Sequence, residues 1–138
     1  ALGERWISVR GAGTETARAR CRASACKRVA QASLFATAPD MFSNEEAPRF
    51  SALARRVRLT RFGTDCYAYG LVASGLADLV VEADMKPHDY IALIPIVEGA
   101  GGVMTDWNGR ALGLDSDGRV LAAANANLHR AALAFLSD

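Results

Sequence analysis

Between Arg61 and Gly102 short apolar runs alternate with helical ones, and no other feature constrains the fold as tightly. The run Ala77-Asp78-Leu79-Val80-Val81-Glu82 is a compact apolar strand. Such a strand is buried on both faces, so its sheet needs a layer on each side. Upstream, Val57 to Phe62 reads as a strand that passes through Gly63 into a helix, with Thr64 or Asp65 as its cap and Gly75 as its stop. Downstream, the spacing predicts a helix from His88 to about Ala100. It is apolar nearly all round, hence buried on more than one side, and kinked at Pro95.

The flanks continue the pattern. Glu4 to Arg10 alternates polar and apolar residues and reads as a strand, broken by Gly11 to Gly13. Thr14 to Lys27 is an Arg-rich polar connection with no assigned structure. Val29 to Ala36 holds a strand around Ser33-Leu34-Phe35, and Pro39-Asp40 turn the chain. A helix opens at Ser43 or Asn44, with Glu45 and Glu46 where the dipole favours acids and with Phe50, Leu53, Ala54 and Val57 at helical spacing. Gly99, Gly101 and Gly102 lead into a strand, Val103 to Thr105. Asp106 to Gly109 and Asp115 to Gly118 are tight turns, Val120 to Ala124 is a last strand, and Asn127 to about Leu136 a closing helix. Strands alternating with helices give an α/β domain whose largely parallel or mixed sheet carries helices on both faces. With no repeat and no low-complexity linker, 138 residues make one domain.

Composition narrows the class. Apolar residues are 51% and charged ones 22%, so the chain is globular, and a net charge of +1 gives no reason to expect nucleic acid or an anionic membrane as partner. The Arg18 to Arg28 stretch is basic, but no aromatics interleave with it, which makes it a solvated surface. Cys21, Cys26 and Cys66 are odd in number and lack zinc-pair spacing; free thiols in a reducing cytoplasm are expected. No apolar run is long enough to span a bilayer, and the first residues lack a charged leader with an apolar run. The chain opens without Met and already in strand-like sequence, which suits a piece of a longer polypeptide.

Two constellations could carry chemistry. Gly63-Thr64-Asp65 joins a strand to a helix, where free N–H groups can receive a hydroxyl, carboxylate or phosphate oxygen; Arg61 and Asp65 flank it with opposite charge. A plain helix cap is the other reading. Glu82 closes a strand and Asp89 begins a helix, so the loop between them lets both carboxylates face one cleft. A hard cation such as Mg²⁺ takes a few carboxylate oxygens and keeps several waters. One carboxylate is a weak site, and Asp89, like Asp84, is alternatively a helix-start acid. His88 and His129 have no metal-protease spacing, Asp115-Ser116-Asp117-Gly118 lacks the distal Glu of a calcium loop, and Gly99 to Gly102 follows a helix as a C-cap does.

Arg61-Phe62-Gly63-Thr64-Asp65, the strand Ala77 to Glu82, Pro87-His88-Asp89-Tyr90-Ile91-Ala92 and Ile96-Val97-Glu98-Gly99-Ala100-Gly101-Gly102 resemble the C-terminal half of inositol-monophosphatase-like phosphatases. Order and spacing match from about Arg5 to Leu136. Within that superfamily the chain looks most like the histidinol-phosphate phosphatase branch, through Arg61 to Tyr69 and the loop Met85-Lys86-Pro87-His88-Asp89. Inositol phosphatases usually carry Trp where His88 stands.

The resemblance implies roles. Asp89 matches the catalytic aspartate that binds Mg²⁺ and touches substrate. Glu82 matches the glutamate facing the polyol or amino-alcohol portion, Gly63 and Thr64 the turn that receives substrate oxygens, and Asp65 with Arg61 the substrate-recognition pair, Asp65 meeting an ammonium. It further implies hydrolysis of histidinol phosphate to histidinol and phosphate in histidine biosynthesis, and a homodimer. The family's remaining metal ligands come from a glutamate and a DPxDGT-type motif in an N-terminal half, and this chain has no DPxDGT. Residues 1–138 are thus expected to be a single C-terminal α/β domain whose N-terminal metal-cradle domain lies in another part of the same polypeptide. By itself the chain is expected to be inactive and to expose apolar surface. The alternatives are an inositol or other sugar-phosphate monophosphatase, and a non-catalytic binding or assembly domain of the same fold.

Overall fold

The structure, a computed structural model, describes residues 3–137. Within them a two-stranded hairpin packs beside a five-stranded sheet. The hairpin pairs Trp6–Val9 (β1) with Gly13–Thr16 (β2) antiparallel, Trp6 opposite Thr16. The sheet contains Ser33–Ala36 (β3), Leu59–Phe62 (β4), Leu79–Glu82 (β5), Val103–Thr105 (β6) and Val120–Ala123 (β7), in the order β4-β3-β5-β7-β6. β3 runs parallel to β4 and β5, whereas β7 is antiparallel to β5 and β6. The sheet is therefore mixed.

Side-chain alternation splits the core in two. Leu34, Ala36, Leu79, Val81, Leu121 and Ala123 meet Phe50 and Leu53 of helix Glu46–Ala54 (α1) and Leu128, Ala132 and Leu136 of helix Ala126–Leu136 (α5). On the other face Val80, Val120 and Ala122 meet Ala68, Tyr69 and Val72 of helix Tyr67–Ala73 (α2), Tyr90 of helix Pro87–Tyr90 (α3) and Val97 of helix Ile94–Gly99 (α4). Helices thus cover both faces, and each buried Leu or Val contributes roughly 1.5–3 kcal/mol.

The termini of α1 and α5 follow their capping residues. The Ser43 N–H donates to Glu46 Oε2 at 2.9 Å and the Glu46 N–H to Ser43 Oγ at 3.3 Å, a reciprocal pair that opens α1. Asn125 Oδ1 accepts the Leu128 N–H at 3.1 Å and opens α5.

Three expectations change. The Arg-rich connection contains β2. That strand offers no apolar alternation to read, because within β2 only Thr14 is buried, its hydroxyl donating to the Ile96 carbonyl at 2.8 Å. The helix expected from His88 to Ala100 is two helices, α3 and α4, parted by a turn at residues 91–93. Pro95 cannot donate to the Ile91 carbonyl. Instead of kinking a continuous helix, the chain restarts and places Pro95 in the first turn of α4, where no N–H is required. Nor is that segment buried all round: Tyr90 and Val97 are, while Ile91, Ala92, Pro95 and Glu98 are exposed. Finally, neither Thr64 nor Asp65 caps α2 by its side chain; the Tyr67 and Ala68 N–H groups donate to the carbonyls of Thr64 and Asp65, at 3.0 and 3.1 Å.

The hairpin docks where glycines leave room. A Cβ on Gly70 of α2 would come within 2.8 Å of the Trp6 ring, whose Nε1 donates to Ser74 Oγ at 2.8 Å. A Cβ on Gly99 of α4 would strike the hydroxyls of Thr14 and Ser8.

Candidate active site

A cavity of about 450 Å³ opens beyond the carboxyl ends of β3, β4 and β5. Ligands of open α/β sheets gather at this end. Thr37, which follows β3, Asp65 and Cys66, which follow β4, Glu82, which ends β5, and His88 and Asp89 of α3 line it together with Met41 and Met85.

Glu82 is the most constrained member. It is 1% exposed and shares its sheet face with Val80, the face covered by α2. Its two oxygens each accept one hydroxyl, Oε1 from Thr37 and Oε2 from Tyr69 at 2.6 Å. Among the described residues no basic side chain pairs with it. Burial, then the charge and hydrogen bond of Glu82, push the Tyr69 hydroxyl well above its ordinary pKa, so it stays a neutral donor.

Asp89 differs. Its side chain is 41% exposed; Oδ2 accepts the Lys86 N–H at 2.8 Å, and Oδ1 lies 3.5 Å from His88 Nε2. The first of these bonds is that of a helix-start acid. The loop between Glu82 and Asp89 is braced from the Asp115–Gly118 turn: the Met85 N–H donates to the Gly118 carbonyl at 3.0 Å, and a Cβ on Gly118 would come within 2.5 Å of Met85 O. Gly118 has φ 84°, a conformation suited to glycine. Asp84 on this loop pairs with Lys86 Nζ at 2.8 Å, which lowers the Asp84 pKa, and it does not line the cavity.

The structure thus brings Asp65, Glu82 and Asp89 to one cavity but leaves Arg61, Gly63 and Thr64 outside its lining. Arg61 lies exposed on β4, the edge strand, one strand removed from β5. The Gly63 N–H, expected to be free for a substrate oxygen, donates to the Thr37 carbonyl at 2.9 Å. Thr64 Oγ1 is buried without a hydrogen-bond partner among the described residues. The turn itself uses two left-handed residues, Gly63 at φ 83° and Asp65 at φ 43°, the second of a type that tolerates this region. Thr37 and Tyr69 were missed by sequence reasoning. Tyr69 carried one signal: a Tyr on the buried face of a helix needs a partner for its hydroxyl. Thr37 carried none, since β3 pairs with β5 only in three dimensions.

Residues 1–137 match the Inositol monophosphatase family. The chain belongs to this family. As an inositol monophosphatase family member it is 38% identical over 142 residues to the bifunctional phosphatase IMPL2, chloroplastic, of Arabidopsis thaliana, spanning 98% of this chain and 41% of that protein. It is 35% identical over 145 residues to a histidinol-phosphatase of Streptomyces coelicolor, spanning 100% of this chain and 53% of that protein. An inositol monophosphatase from Zymomonas mobilis superposes with a TM-score of 0.93 at 40% identity, covering 96% of this chain and 52% of that one. The chain therefore spans about half the length, or less, of the relatives it matches. Among the described residues no three His, Cys, Asp or Glu side chains cluster as metal ligands, and no helix is long and apolar enough to cross a membrane.

Proposed function

We propose that this chain forms part of a divalent-metal-dependent phosphomonoesterase that hydrolyses histidinol phosphate to histidinol and phosphate. The observation that carries the reading is the convergence of Asp65, Glu82 and Asp89 on one cavity at the carboxyl ends of the strands. Similarity to a protein named histidinol-phosphatase supports the choice of substrate. Inositol phosphate is the second reading, favoured by the likeness to the Zymomonas mobilis protein.

The donor set fits a divalent cation only in part. Asp89 presents a hard oxygen at the open side of the cavity, and the described residues hold no cluster of three ligands to complete its shell. Asp89 would hold Mg²⁺ together with ligands from beyond this chain, and the 138 residues alone would be inactive. When bound, the metal would supply polarisation of the phosphoryl group. The chain's own residues would bind and orient the alcohol. Asp65 would accept from an ammonium and Glu82 would face the amino-alcohol portion, while Gly63, its N–H held by the Thr37 carbonyl, would shape the turn that carries Asp65. We assign this protein to the cytoplasm and to a homodimer on the same reading.

The test is phosphate release by the intact protein with Mg²⁺, from histidinol phosphate and from inositol phosphate in parallel. Higher kcat/KM on histidinol phosphate is expected. Preference for inositol phosphate would transfer the assignment to the second reading, and no release from either would end both.

A further inference from the structure

Glu82 poses a problem that the phosphatase reading leaves open. A buried carboxylate normally pairs with a cation or gathers several N–H donors. Glu82, 1% exposed, has two neutral hydroxyls and no basic partner among the described residues, and it still borders a 450 Å³ cavity.

The two hydroxyls divide the carboxylate evenly. Thr37, half-buried after β3, holds Oε1; Tyr69, fully buried on α2, holds Oε2. They approach from different elements, so the carboxylate plane is pinned between the end of one strand and the side of a helix. An ionised oxygen has more than one acceptor direction, and a single hydroxyl leaves capacity on each. Neutral donors also leave the negative charge in place, where a Lys or Arg would cancel it. A fixed, unneutralised charge at a cavity wall favours a cationic group over a neutral hydroxyl of similar size.

We propose that Tyr69 and Thr37 are positioning residues that hold Glu82 as a rigid acceptor, alongside Asp65 on the same cavity wall, for the ammonium group of the substrate alcohol. The proposal rests on the phosphomonoesterase reading and adds to it the devices that make one acid selective. Tyr69 and Thr37 need not touch substrate themselves; they act through Glu82.

The experiment uses the intact protein and two substrates, histidinol phosphate and the analogue in which its amino group is replaced by hydrogen. Tyr69→Phe and Thr37→Val each remove one hydroxyl with little change of shape. Each is expected to raise KM for histidinol phosphate about tenfold with kcat within about twofold, and to leave KM for the des-amino analogue within about twofold. Thr37→Ser is expected to restore the KM lost in Thr37→Val. In a Glu82→Gln background Tyr69→Phe is expected to add no further KM effect, since its partner charge is already gone. Equal shifts on both substrates, no shift on either, or additivity with Glu82→Gln would each overturn the proposal. Wild-type protein inert towards histidinol phosphate would instead overturn the reading beneath it, and the proposal with it. Should Tyr69→Phe fold poorly, the Thr37→Val and Thr37→Ser pair decides the outcome.

Discussion

Asp78 and Glu82 stand at opposite ends of the β5 segment, both acids, 9% and 1% exposed. Asp78 Oδ2 accepts the Ser33 N–H at 2.8 Å and the Ser33 hydroxyl at 2.9 Å, and Oδ1 accepts the Ser24 hydroxyl. Its own carbonyl accepts the Ala124 N–H at 2.9 Å. All these partners stitch the segment before β3, β3 itself and the end of β7 to β5. Glu82 has one hydroxyl per oxygen and a cavity beyond. Burial alone therefore does not distinguish an acid that stitches strands together from one that lines the cavity. What distinguishes them is whether the protein uses up the acceptor capacity or leaves some facing an opening.

The largest effect expected at the open end is on rate. Asp89→Asn in the intact protein should lower kcat by roughly 10²- to 10³-fold, since several kcal/mol of transition-state stabilisation are at stake. Its denaturation midpoint should stay put, because an Asn oxygen can still accept the Lys86 N–H. A near-normal rate would remove Asp89 from the active site and break the contrast between the two ends.

The two acids that flank residues 79–81 should separate next. Asp78→Ala strands the Ser33 N–H and two hydroxyls, and the loss should be about 3 kcal/mol by urea titration, with KM unaltered. Glu82→Gln removes an unpaired buried charge and should hold or raise the melting temperature while KM rises. If both variants cost the same stability, the distinction drawn between them is wrong.

A smaller effect lies in α5. His129 is buried, its Nε2 2.7 Å from Thr105 Oγ1, and burial pushes its pKa below the ordinary 6.5. The folded state then binds a proton less readily than the unfolded one. Stability is complete above pH about 6.5 and falls as pH drops through that value towards the lower folded pKa. Melting temperature should decline by no more than a few degrees between pH 7 and 5, and His129→Gln should flatten that decline. An unchanged slope in the variant would place the acid sensitivity outside His129.

Much of the fold was legible. The apolar run ending at Glu82 announced a strand covered on both sides, and the turn acids and glycines marked most element ends, because periodicity and turn chemistry are local. β2 was not legible, since its single buried residue is a Thr held by a carbonyl more than eighty positions away. The division of residues 87–99 into two helices was half legible: Pro95 signalled an interruption, but whether it kinks a helix or starts one depends on what the flanking residues pack against.

Local pattern, then, determined the α/β class, the positions of most strands, and the family signature that singled out Asp65, Glu82 and Asp89. Tertiary structure alone decided which candidates share a wall: it brought Thr37 and Tyr69 to Glu82, occupied the Gly63 N–H with a carbonyl, and left Arg61 on an edge strand. The physical reason is that hydrogen-bond partners and strand order arise from contacts between distant segments, which no residue's immediate neighbours encode.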